Sequence, residues 1–185
     1  IEGALAGGHL GFKKEDLENQ TYQSLEEIFQ EVEQVVESFQ LNIPIFVAGG
    51  IHQRSDVKHF FELGVDGVQV ASRFIPTYEC DASMKYKEAF LKAKKEEVGL
   101  VSSPVGMPGR AFQNAFVQKT KQEKVPIKKC YQCLTPCNLK TTPYCISRAL
   151  IEAVKGNLED GLIFTGAHGY RQDHLMHVDE VIHEL

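Results

Sequence analysis

Residues 43–48, IPIFVA, are apolar at successive positions and include three β-branched side chains, the pattern of a short strand covered on both faces. Residues 67–71, GVQVA, form a second such run. Between them stand Gly49 and Gly50, then a segment whose Val57, Phe60 and Phe61 share a helical face. Ser55 or Asp56 can cap that helix and Gly64 can stop it. Strand, helix and strand within so few residues predict a βαβ unit, hence two parallel strands.

Upstream, Ser24-Leu25-Glu26-Glu27 is a capping box. Leu25, Ile28, Phe29, Val32, Val35, Val36 and Phe39 then keep one apolar stripe, with Glu26, Glu31, Glu33 and Glu37 off it. Downstream, Ser83 opens a helix to about residue 97 with Met84, Ala89, Phe90 and Ala93 inward, and 98–102 reads as a strand. Residues 103–110, SPVGMPGR, read as a loop, and 110–121 as a helix burying Ala111, Phe112, Ala115 and Phe116. Arg110 is expected on the surface, in a salt bridge or reaching an anion. A helix follows Cys145, a strand-like run covers 162–164, and an amphipathic helix with Val181, Ile182 and Leu185 on one side closes the chain.

Composition narrows the class. The 185 residues suit one domain with a small appendage, and 43% hydrophobic residues suffice for a core. A net charge of −5 gives no basic excess for nucleic acid. No apolar run spans a bilayer and no signal-peptide pattern is present, so the expectation is a cytoplasmic protein that engages no membrane. Opening on Ile1 inside a motif, the chain reads as a piece of a longer protein.

Chemistry is expected where the strands end. Gly49-Gly50 after one strand and Ala71-Ser72 after the next leave backbone N–H groups uncovered by bulky side chains, and such groups can converge on a phosphate. Gly7 and Gly8 form another small-residue turn that delivers His9. Cys130, Cys133, Cys137 and Cys145 form C-x2-C-x3-C-x7-C, four thiols suited to zinc or an iron–sulfur cluster. The spacing matches no standard zinc finger, and Cys145 can equally begin a helix and pack there. Among the histidines at 168, 174, 177 and 183, His168 between Ala167 and Gly169 is the least ordinary.

AGGIHQRSDVKHFFELGVDGVQVASRF resembles the flavin-binding signature of the nitronate monooxygenase family, whose relatives include flavin-dependent enoyl-acyl-carrier-protein reductases. GALAGGHLG resembles that family's AGGH segment. The resemblance implies an α/β fold, the C-terminal part of a TIM-type (β/α)8 barrel binding FMN. Residues 1–77 would supply the last strands, ending at Gly8, Gly49 and Ala71, and 78–185 a mainly helical extension with the cysteines. Gly7, Gly8, Gly49, Gly50, Gln69, Ala71 and Ser72 would contact FMN. His9 would be the catalytic base on the carbon beside a nitro group. The implied reaction is oxidation of an alkyl nitronate with O2, or NAD(P)H-dependent reduction of an enoyl thioester. A third expectation makes the cysteine tail an interaction or electron-transfer module. The chain departs from the family in having Ala71-Ser72 for the usual Gly-Thr, and no acidic residue directly before AGGH. Three strands cannot close a barrel, so 1–185 alone is expected to hold FMN weakly, completed by a missing N-terminal half or by self-association.

Overall fold

The computed structural model describes residues 1–185 except Pro136. The chain is α/β. Its elements are β1 (Gly8–His9), α1 (Lys14–Asn19), α2 (Leu25–Ser38), β2 (Phe46–Ala48), α3 (Arg54–Leu63), β3 (Gly67–Gln69), a 3-10 turn (Ser72–Phe74), α4 (Met84–Lys92), β4 (Val98–Ser102), β5 (Pro108–Phe112), α5 (Ala115–Gln122), α6 (Ile146–Val154) and α7 (Val178–Glu184). Among the described residues, no helix is long and apolar enough to cross a membrane.

The βαβ unit forms as the pattern requires. β2 and β3 are parallel, with Val47 opposite Val68 and Ala48 opposite Gln69. Val47 is fully buried with Phe29 of α2 and Phe60 of α3, whereas Phe46 is 54% exposed, so this strand is covered on one face only. The cap of α3 lies at Gln53, two residues earlier than Ser55; Asp56 instead takes the N–H groups of His52 and Gln53 on its carboxylate. Gly64 stops the helix at φ 102°, a value that favours glycine. Phe61 points outward, half exposed. The capping box of α2 is made at both ends, but Val35 and Phe39, at the far end of its stripe, stay exposed.

The first strand corrects the expectation that it ends at Gly8. Glu2 bridges Ala48 in parallel, through Gly3 N to Ala48 O (2.8 Å) and Ala48 N to Ile1 O (3.0 Å). The parallel segment therefore ends near Gly3. Gly8 and His9 instead pair antiparallel with Arg110 and Gly109 of β5. β5 also pairs antiparallel with β4, so residues 108–112 are a strand, not loop and helix start. The helix begins at Ala115, capped by the Asn114 side chain on Val117 N. α4 likewise ends at Lys92, short of residue 97.

The second half folds back on the first. Phe112 N donates to Ile163 O and Thr165 N to Arg110 O, which lays 163–165 beside β5. Ile163, Phe90, Phe112 and Ala153 form one buried cluster, and Leu162, Phe116, Tyr144 and Ala149 belong to another. Thr77 and Met176 make a parallel bridge. Of these contacts only the Thr77–Met176 bridge crosses the expected boundary at 77, and the later part carries a β-ladder beside its helices.

Candidate functional site

A cavity of about 290 Å³ opens at the carboxyl ends of the parallel segments. Gly7, Gly8, Gly49, Gly50, Gln69, Ala71 and Ser72 all line it, so the structure brings together every residue expected around a cofactor. Gly49 and Gly50 have φ of 103° and 85°, values seldom accessible to other residues. Among the described residues, the N–H groups of Gly49, Gly50, Ala71 and Ser72 donate to no acceptor within the chain.

The remaining wall comes from residues 164–169. That segment is held from three sides: Gly166 N donates to Ser72 Oγ (2.9 Å), Ala167 N to Leu5 O (3.0 Å), and His168 Nδ1 to Gly50 O (2.8 Å). The last bond makes Nδ1 the protonated nitrogen of a neutral imidazole. Ser72 Oγ accepts from Gly166 and keeps its own proton to donate. Sequence reasoning flagged His168 but missed Gly166 and Thr165, because nothing local in TGAHGY says that it returns to a turn some ninety residues upstream.

The floor carries a buried arginine and a buried histidine, Arg73 and His52. Arg73 is 6% exposed; its Nη1 donates to His52 O (2.8 Å), its Nη2 pairs with Glu184 of α7, and its Nε has no partner among the described residues. Burial pushes His52 down to about 4, reinforced by the charges of Arg73 and Arg171. Burial also lowers His168, with Arg171 and Arg110 adding to it, although the bond to Gly50 opposes the shift. Neither ring carries charge at neutral pH, so the cations on this side of the cavity are arginines. Glu2 lines the cavity too, with burial raising its carboxyl above the usual range.

Arg110 is not on the surface. Its Nη1 donates to Ala4 O (2.5 Å) and Ala6 O (2.6 Å), which shapes the turn before Gly7-Gly8. His9 does not line the cavity. Its ring packs edge-on against Phe164, which does, with centroids 5.0 Å apart. His9 Nε2 lies 2.7 Å from Ser103 Oγ, and burial lowers its pKa from the ordinary 6.5. Ser103 was read only as part of a loop.

The four clustered cysteines are all free, and Cys145 immediately precedes α6. They line a separate cavity of about 280 Å³. Among the described residues, no group of three or more His, Cys, Asp or Glu converges as a single metal ion requires. A tetrahedral zinc site draws four sulfurs to about 2.3 Å from one point, so the zinc expectation is not met.

A family model described as nitronate monooxygenase matches residues 1–185. A probable nitronate monooxygenase of Staphylococcus saprophyticus subsp. saprophyticus is 32% identical over 121 residues, 65% of this chain and 33% of the relative. Another, of Bacillus subtilis, is 29% identical over 82 residues, 44% of this chain and 24% of the relative. Among solved structures, FabK from Thermotoga maritima superposes with a TM-score of 0.71 and 25% identity, over 100% of this chain and 51% of that one. A nitroalkane oxidase from Streptomyces ansochromogenes gives 0.69 and 19%, over 100% and 49%. The chain thus spans about half the length of these structures.

Proposed function

The chain belongs to the nitronate monooxygenase family, and on that premise we propose that it forms the cofactor-phosphate and histidine portion of an FMN-dependent oxidoreductase. The observation that carries this reading is the set of four unengaged amides at Gly49, Gly50, Ala71 and Ser72, on adjacent parallel strands around one cavity. Main-chain N–H groups in such turns bind phosphate oxygens directly. Arg73, in the lining of the same cavity, adds a cationic side chain beside these amides, with Glu184 as its carboxylate partner. Gly49, Gly50, Ala71 and Ser72 would hold the phosphate, Ser72 adding its hydroxyl, with Gly7, Gly8 and Gln69 along the rest of the cofactor. Bound FMN would supply the redox chemistry.

His9 has the part of general base. Burial favours its neutral form, and the contact of Nε2 with Ser103 fixes the ring. An imidazole kept neutral by burial is free to take a proton. The proposed reaction is oxidation of an alkyl nitronate with O2. The likeness to FabK, and to a structure titled the enoyl reductase domain of MlnA (TM-score 0.61, 14% identity), favours reduction of an enoyl thioester with NAD(P)H as the second reading.

In this proposal residues 1–77 are the closing part of a (β/α)8 barrel, 78–185 its cysteine-bearing extension, and the remaining strands belong to the rest of a longer protein. The test is a flavin spectrum of the full-length protein followed by substrate titration. Nitronate-dependent turnover is expected; NAD(P)H consumption that requires enoyl thioester would select the second reading. A full-length protein that binds no flavin would overturn both.

A further inference from the structure

We propose that the cysteine-lined cavity is a binding site for a polynuclear iron–sulfur cluster. Cys130, Cys133, Cys137 and Cys145 all line one space of about 280 Å³. A single ion needs converging sulfurs. A cubane cluster needs them spread, because each thiolate ligates a different iron at a different corner. Four thiolates around one enclosed space are the ligand set that such clusters take.

Three further features agree. Gln132 holds a left-handed backbone, φ 52°, that non-glycine residues seldom adopt. In that conformation its N–H donates to Cys130 Sγ at 3.4 Å. Amide donors to the ligating sulfurs stabilise the anionic thiolate and tune such clusters. Cys145 stands at the N-terminus of α6, the end of a helix that favours a negatively charged group. Finally, the cavity wall contains no acidic residue, and the surrounding segment is basic within an acidic chain. Residues 119–142 hold six lysines and one glutamate, which offsets the net negative charge of a thiolate-ligated cluster. Lys124 ties the loop by donating to Leu139 O (2.8 Å) and Lys140 O (2.7 Å).

The site also has a defined place relative to the flavin pocket. Pro104 lines the cysteine cavity, and the neighbouring Ser103 contacts His9. Tyr144, in the same lining, donates its hydroxyl to Ser102 O (3.0 Å). The cluster would sit behind the loop that orients the histidine.

The experiment is iron and acid-labile sulfide analysis of the full-length protein, purified anaerobically and incubated with ferric iron, dithiothreitol and sulfide. About four of each per chain are expected for a cubane held by four cysteines, with an electron paramagnetic resonance signal on dithionite reduction. Cys133→Ser and Cys137→Ser should each lose most of the iron and sulfide while the circular dichroism spectrum is unchanged. Cys80→Ser, outside the cavity, should lose none. Zinc in place of iron without sulfide would overturn the proposal. So would iron-free protein whose four thiols all react with a thiol reagent after that incubation. None of these readouts depends on flavin binding, so this proposal and the preceding one fail separately.

Discussion

Gly7→Ala tests how the cavity is closed. A Cβ at this position would lie 2.6 Å from Gly166 N and 2.6 Å from Thr165 C. Both are backbone atoms, and neither can turn away as a long side chain would. Residues 165–167 are fixed to Arg110 O, Ser72 Oγ and Leu5 O, so the displacement must break at least one of these bonds. Forcing one methyl into packing of this kind costs about 1–3 kcal/mol. In a domain of this size that corresponds to a melting temperature lower by roughly 2–4 °C per kcal/mol. The larger effect should be on the cofactor, because the wall that moves is the wall of the cavity. FMN affinity, read by quenching of flavin fluorescence on titration into the full-length apoprotein, should weaken at least about tenfold, the equivalent of 1.4 kcal/mol. Gly11→Ala is the control, since nothing lies within 4 Å of its added Cβ. If Gly7→Ala binds FMN as tightly as the parent and melts at the same temperature, residues 165–167 do not pack against this turn in solution.

Other predictions follow from single contacts. His52, with a pKa of about 4 when folded against 6.5 when free, binds its proton first in the unfolded chain as the pH falls. The stability associated with its neutral form is present above pH 6.5 and is lost as the pH falls towards 4, up to about 3 kcal/mol in all; urea unfolding across that range should show it, and His52→Gln should flatten the slope. For the full-length enzyme, kcat/KM should rise with pH through an apparent pKa below 6.5 set by His9; survival of that limb in His9→Asn would assign it elsewhere. Ser24→Ala removes the cap on Glu27 N (3.1 Å) and should cost about 1 kcal/mol in denaturant unfolding without changing FMN affinity.

Local signals located the elements that local forces determine. The capping box at Ser24, the glycine stop at Gly64 and the apolar runs around Val47 and Val68 each encode their own geometry, and the parallel pairing followed from the short connection. β5 was misread because Ala111, Phe112, Ala115 and Phe116 satisfy a helical face as well as two consecutive elements. The ladder to β4 and the Asn114 cap, not propensity, place the break. The pocket was legible where glycines and small residues end strands. Its far wall and its charge were not, since Gly166 meets Ser72 and Arg73 meets Glu184 across most of the chain. Arg110 was misplaced for the same reason: an arginine in a Gly/Pro-rich stretch gives no hint that two carbonyls wait for it in the core.

The Arg73–Glu184 pair ties α7 to the turn that follows β3. Shaving that helix off, or crowding it with a bulky fusion, would strand a charged guanidinium inside the fold with its counter-ion gone. Damage to α7 should therefore surface as a defect in ligand capture far upstream, at the turn that Arg73 anchors.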